Sequence, residues 1–283
     1  MPLVEANGIE LYYERLGDGP RPPFLLIAGL GAHCTGYDDA FCDALVELGH
    51  PVVRFDNRDV GLSSHLPATA YLLADMVADT VGLMDELEID AAHVVGTSMG
   101  GMIAQLLAID HPHRTLTLTS IMSSTGEPDV GQARPEVLTA LLEPAPEGED
   151  RAAAIERGLR TARAIGSPDL DVEYHMRRQV SFWERGVDPG GVARQAVAVV
   201  SSAHRADGLR ELSVPTLVIH GAEDPLIHVS GGRRTAELVA ESRFVEIAGM
   251  GHDLPPLHYP QIVSEIAALV ANAGGITEED DAA

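Results

Sequence analysis

The sequence predicts an α/β fold, a mostly parallel sheet flanked by helices and interrupted once by a helical insertion. Three observations carry this expectation. Short apolar strand candidates alternate with helical patterns in two blocks along the chain. A long stretch of successive helix candidates, with no strand among them, separates those blocks. A serine stands in Gly96-Thr97-Ser98-Met99-Gly100, where a strand candidate gives way to a helix candidate.

In the first block, "LYYERLG", "FLLIAG", "VVRFD", "HVVGTS" and "LTLTSIMS" read as strands. Between them, "YLLADMVADTVGLMDELEI" places Leu73, Met76, Val77, Thr80, Met84 and Leu87 on one face at helical spacing. The second block offers "PTLVIHG" and "RFVEIAG" as strands and "GGRRTAELVAE" and "YPQIVSEIAALVANA" as helices. The intervening segment opens with the turn-rich "STGEPDVGQARPE". It continues as "RPEVLTALLE", "EDRAAAIERGLRTARAI", "DLDVEYHMRRQVSFWERG" and "GGVARQAVAVVSSAH". The sheet pattern resumes afterwards, so this segment is an insertion rather than an independent domain. The expected division is a core of residues 1–123 and 211–273, a helical lobe of 124–210, and a flexible acidic tail of 274–283.

Composition narrows the chemistry. The 283 residues are 45% hydrophobic, enough for one large core plus an inserted lobe. No apolar run approaches the roughly 20 residues that span a bilayer, and the start "MPLVEANGIELYYE" lacks the features of a secretory leader. A cytoplasmic location is the expectation, without membrane association. Cys34 and Cys42, with no CxxC spacing, suit a reducing compartment and argue against a disulfide or a metal cage. All 19 basic residues are arginine, which excludes Schiff-base and phosphate-loop lysine mechanisms. The net charge of −24 opposes nucleic-acid binding.

The serine motif is informative because a strand that turns sharply into a helix strains the residue at the turn. Side chains two positions to either side would collide, so glycine belongs at 96 and 100. Two partners are expected downstream. After "PTLVIHG" comes "AEDPLI", with Asp224 in the loop; after "RFVEIAG" comes "MGHDLP", with His252 in the next loop. Reactive groups gather at such strand ends in open α/β sheets. The rival residues are Glu223 for the acid and His220 or His258 for the base.

Together, "LLIAGLGAH", "RFDNRDVGLSS", "HVVGTSMGG", "PTLVIHGAEDPL" and "GMGHDLP" resemble the α/β-hydrolase superfamily along nearly the whole chain. The last three motifs resemble the aclacinomycin methylesterase-like serine esterases in particular. The resemblance implies an eight-stranded sheet with a helical cap over the active site. It also implies a catalytic triad of Ser98, Asp224 and His252 and a two-step acyl transfer that needs no cofactor or metal. Many relatives carry His-Gly before the oxyanion-hole residue, whereas this chain has Ala28-Gly29-Leu30. By position the backbone amides of Leu30 and Met99 form the hole, with Gly29 as a substitute for Leu30. Arg58 resembles an architectural residue of that family.

A serine at 98 excludes the aspartate-nucleophile dehalogenases and epoxide hydrolases of the same fold. Aminopeptidase relatives need an acidic cap residue, for which Glu173 and Glu184 are the candidates. Tyr174, Phe182 and Trp183, with Met176 nearby, form either an apolar substrate pocket or the cap's own core. Arg177 and Arg178 bind a substrate carboxylate or lie on an exposed helix face. The favoured reading is a serine carboxylesterase taking small to medium esters, methyl esters of a polycyclic metabolite included. A carbon–carbon bond hydrolase with the same triad, and a non-catalytic ligand receptor on a hydrolase scaffold, are the alternatives.

Overall fold

A computed structural model describes residues 2–141, 148–186 and 188–280. Eight strands form one sheet: β1 (Leu3–Ala6), β2 (Ile9–Leu16), β3 (Phe24–Ile27), β4 (Val52–Phe55), β5 (Ala92–Thr97), β6 (Thr115–Ile121), β7 (Thr216–Gly221) and β8 (Arg243–Ile247). Their spatial order is β1-β2-β4-β3-β5-β6-β7-β8. The β1–β2 and β2–β4 pairs are antiparallel and every later pair is parallel. Parallel strands need helical crossovers that cover both faces, which is why β3 to β7 are buried almost throughout.

Alternate residues of β3 show the two-sided burial. Leu25 and Ile27 join Val53, Phe55 and Val94 beneath α2 (Leu73–Glu86) and α3 (Met99–Asp110). Phe24 and Leu26 join Val52, Val95 and Ile219 beneath α1 (Asp39–Val46) and α10 (Tyr259–Asp280). The expected α2 face is buried at Leu73, Met76, Val77, Thr80 and Met84, and Leu87 packs partly against it. No helix among the described residues is long and apolar enough to cross a membrane.

Between β6 and β7 run α4 (Pro135–Leu141), α5 (Arg151–Ile165), α6 (Val172–Arg185), α7 (Pro189–Ser201) and α8 (Ala206–Arg210), with no strand among the described residues. Asp150, Asp171 and Asp188 cap α5, α6 and α7 by accepting from the Ala153, Tyr174 and Gly190 amides. Leu142 and Glu143, assigned by sequence to the first of these helices, lie outside the described residues. Helix α9 (Ser230–Leu238) completes the set. Helix α10 continues through Asp280, past residue 273 where the sequence starts the tail. Gly274 and Gly275 each weaken a helix by about 1 kcal/mol without being obliged to end it. Residues 281–283 lie outside the described residues.

Three elements escape the sequence pattern, the five-residue α8 among them. Strand β1 pairs with β2 through Asn7 and Gly8, both at positive φ as a tight hairpin requires. Helix α1 buries only Phe41, Cys42 and Leu45 and is capped by Asp38, whose side chain accepts from the Phe41 amide at 3.0 Å.

Arg58 carries an architectural ion pair. Its Nε and Nη2 donate to the two oxygens of Asp79 on α2, each at 2.6 Å, and both side chains are buried. Removing one partner of such a pair strands the other charge without water. Asp79→Ala is therefore expected to destabilise the fold by about 3–5 kcal/mol in urea denaturation. A loss below about 1 kcal/mol would show that the pair does not brace α2.

Candidate active site

Strand β5 ends at Thr97 and α3 begins at Met99, so Ser98 alone makes the turn. Its φ of +55° with ψ of −121° is a strained conformation for a residue with a side chain. A Cβ on Gly96 would strike the Gly100 carbonyl, and one on Gly100 would strike the Ile27 carbonyl. The close packing that selects glycine at these positions is thus visible on both sides of the serine. The Ser98 amide donates to the Ile121 carbonyl of β6 at 2.9 Å, and the Ser98 carbonyl accepts from the Ser123 hydroxyl at 2.9 Å.

The three side chains separated in sequence meet at the C-terminal rim of the sheet. His252 Nε2 lies 2.9 Å from Ser98 Oγ, and His252 Nδ1 lies 2.7 Å from Asp224 Oδ2. Asp224 follows β7 and is only 2% exposed. Its Oδ1 accepts from the Leu226 and Ile227 amides at 2.9 and 2.8 Å, which turns Oδ2 toward the imidazole. Burial by itself pushes the Asp224 carboxyl up. The positive charge that His252 can carry and the hydrogen bonds from His220 and His252 outweigh that effect, and the group sits well below the usual carboxylate range.

The rival residues are placed elsewhere. Glu223 is exposed, whereas Asp224 faces inward. His220 is fully buried behind the acid, with Nε2 at 2.7 Å from the Ile227 carbonyl and 3.3 Å from Asp224 Oδ2. His258 closes the short turn before α10, its amide donating to the Pro255 carbonyl at 3.0 Å.

The loop bearing His252 is held by the insertion, a feature that no motif announces. The His252 amide donates to the Ile165 carbonyl at the end of α5 at 2.7 Å. The Gly251 amide donates to Ser167 Oγ at 3.0 Å, and that hydroxyl donates to Asp253 Oδ1 at 2.6 Å. Asp253 Oδ2 lies 3.3 Å from Nε2 of the buried His175 on α6. A Cβ on Gly251 would meet the Gly166 backbone, so the two loops touch main chain to main chain. Asp253 stands beside His252 in "GHD", the only written trace of this arrangement.

On the other side of Ser98, the turn Gly29–Ala32 is closed by the Ala32 amide donating to the Gly29 carbonyl at 3.1 Å. A Cβ on Gly29 would lie 3.2 Å from Ser98 Cβ, which places the turn directly against the serine. Met99 opens α3, where helix geometry leaves its amide unpaired. The Leu30 amide has no acceptor among the described residues.

Phe182 and Trp183 line a cavity of about 110 Å³ with His33, Gln179 and Val192, and the cavity meets the Gly29–Ala32 turn at Gly31. Tyr174 is not among the residues that line this cavity. Its ring is buried, and its hydroxyl donates to the Leu254 carbonyl at 3.3 Å and bonds the Tyr259 hydroxyl at 3.1 Å. The helical period explains the split: residues 174 and 182 or 183 stand more than two turns apart on α6. Arg178 donates to the Gly36 carbonyl at 2.7 Å and ties α6 to the core, while Arg177 pairs with the exposed Glu173. Glu184 also lies at the surface. Asp59, His65 and Asp188 each offer a ligand atom within 4.8 Å of the others. Arg194 already donates to both carboxylates, at 2.8 and 3.1 Å, so a guanidinium supplies the positive charge there.

Comparison with known proteins agrees with this architecture. A family model described as the alpha/beta hydrolase fold matches residues 22–259. Rhodomycin D methylesterase DnrP of Streptomyces peucetius is 30% identical, over 94% of this chain and 96% of that protein. The 2-hydroxymuconate semialdehyde hydrolase of Pseudomonas sp. strain CF600 is 30% identical, over 89% of this chain and 87% of that protein. Among solved structures, a meta-cleavage product hydrolase of Pseudomonas fluorescens superposes with a TM-score of 0.78 at 22% identity, covering 96% of this chain and 98% of its own. Matched by the family model over most of its length, this chain belongs to the alpha/beta hydrolase fold family and is a hydrolase.

Proposed function

We propose that this hydrolase is a serine carboxylesterase working through an acyl-enzyme on small to medium esters, methyl esters of polycyclic metabolites included. The observation that carries the reading is the unbroken Ser98–His252–Asp224 chain of contacts beneath a strained strand–helix turn. The similarity to a methylesterase supports the choice of bond.

In the proposed reaction Ser98 Oγ attacks the ester carbonyl carbon while His252 Nε2 takes its proton. The carbonyl oxygen becomes an oxyanion, held by the Leu30 and Met99 amides. Collapse expels the alcohol, which leaves with the proton from His252. Water then attacks the acyl-enzyme with His252 again as base, and the carboxylic acid departs from a restored Ser98. Asp224 accepts from Nδ1 throughout, which fixes the tautomer and offsets the charge on the imidazolium. The second reading, carbon–carbon bond hydrolysis, draws on the 2-hydroxymuconate semialdehyde hydrolase relative and uses the same residues.

Ser98→Ala is expected to keep the parent's thermal unfolding midpoint, to lose fluorophosphonate labelling and to lower kcat by about a million-fold. The assay is a p-nitrophenyl ester series of increasing acyl length, with a bulky methyl ester and a vinylogous diketone run beside it. Near-parental turnover by the variant would overturn the nucleophile. Faster turnover of the diketone than of any ester would transfer the proposal to the second reading. Absence of turnover on both, with a substrate-like ester retained, would favour a receptor.

Asp224 gives a pH test. Its carboxyl is depressed in the native state relative to about 3.9 in the unfolded chain. Its ionised form therefore contributes stability above about pH 4, and the contribution is lost as pH falls toward the native value. Asp224→Asn is expected to be less stable than the parent at pH 7, with the difference shrinking at pH 3. Urea denaturation at the two pH values measures it, and a gap that widens in acid would contradict the assignment.

A further inference from the structure

The Gly29–Ala32 turn places Gly31 at its third position with φ of +66°, the sign of a type II turn. Its central peptide joins Leu30 to Gly31. That peptide distinguishes a type II turn from a type I turn, which differ by rotating it through about half a revolution. Here its N–H is committed. The Gly31 amide donates to Gln195 Oε1 at 2.8 Å, from a side chain on α7 that is fully buried. The other end of the same carboxamide is fixed too, since Nε2 donates to the Arg58 carbonyl at 2.8 Å. Arg58 is itself clamped by Asp79. One turn of α7 earlier, Val192 packs on the same glycine: a Cβ added to Gly31 would lie 3.0 Å from Val192 Cγ2. The insertion thus grips the turn through a polar and an apolar contact at helical spacing.

We infer that Gln195 is a positioning residue for the oxyanion hole, holding the Gly29–Ala32 turn so that the Leu30 amide faces the oxygen on which charge develops. This rests on the esterase reading above. By taking the Gly31 N–H, Gln195 blocks rotation of the Leu30–Gly31 peptide and leaves the preceding amide, that of Leu30, as the free donor beside Ser98. A hydrogen bond to an oxyanion depends steeply on donor position, so the effect falls on the transition state rather than on substrate binding.

The test uses the full-length enzyme, with active sites counted by end-point fluorophosphonate labelling. Gln195→Ala removes both hydrogen bonds, and Gln195→Met removes them while keeping the volume. Gln195→Glu restores the acceptor for the Gly31 amide. Losing a whole oxyanion donor typically costs about 100- to 1000-fold in kcat, so a displaced one is expected to cost about 10- to 100-fold. For Ala and Met, kcat per labelled site should fall in that range while KM changes by less than about threefold. Affinity for a trifluoromethyl ketone, whose serine adduct carries an oxyanion, should fall in parallel. The Glu variant should recover part of both losses. Arg114→Ala is the control for a merely structural effect, because it removes hydrogen bonds to the Ile89 and Asp90 carbonyls and an ion pair with Asp85, none of which touches the Gly31 amide, Gln195 or Arg58. Unchanged kcat and inhibitor affinity in the Met variant would overturn the proposal. So would losses that Arg114→Ala reproduces at equal site counts. A parent enzyme that neither labels nor cleaves any ester overturns the esterase reading and this inference together, whereas a labelled parent with an indifferent Met variant overturns the inference alone.

Discussion

Holding Ser98 at φ of +55° costs about 1–3 kcal/mol, and the chain adopts that angle only because its surroundings leave no cheaper route from β5 to α3. The route is fixed by the two strands that flank β5. Gly100 lies against the end of β3, the Ser98 amide is bonded to β6, and Ser123 beyond β6 bonds the serine carbonyl. None of these contacts is reactive. Each depends on the parallel register of the central strands, so the position of one hydroxyl is set by the burial of the sheet. Gly96 and Gly100 are required because main chain approaches main chain there, with no room for a methyl group.

The side chains that face Ser98 have a different origin. Asp224 takes its orientation from two amides of its own loop, whereas the His252 loop is tied outward to Ile165 and Ser167 in the insertion. The Gly29–Ala32 turn is tied to Gln195 of the same insertion. The elements between β6 and β7 therefore supply hydrogen-bond partners to the loops on both sides of the serine. They also contribute Phe182 and Trp183 to the nearby cavity.

Most of the fold was legible because its signals are local. Apolar runs gave β3 to β8, the helical period gave α2, and glycine spacing gave the elbow. Strand β1, helix α1 and helix α8 are not legible, since four residues beside an Asn-Gly turn, a buried triplet of Phe41, Cys42 and Leu45, and five residues at Ala206–Arg210 are too short to establish a period. In the candidate site, the convergence of Ser98, Asp224 and His252 is legible because each follows a strand. Tyr174 is near Phe182 and Trp183 in sequence, yet α6 sets it apart from the cavity that the other two line. Gln195, Ser167 and Asp253 act through partners 164, 84 and 86 residues away, respectively, and no one-dimensional pattern encodes such pairings.

The bond from the His252 amide to the Ile165 carbonyl ties the imidazole's own main chain to the end of α5. A helix without that bond could shift and leave the loop after β8 undisturbed. Here the support of the histidine and the place of α5 are one constraint, so a change in the inserted segment reaches residue 252 through the backbone, with no side chain as intermediary.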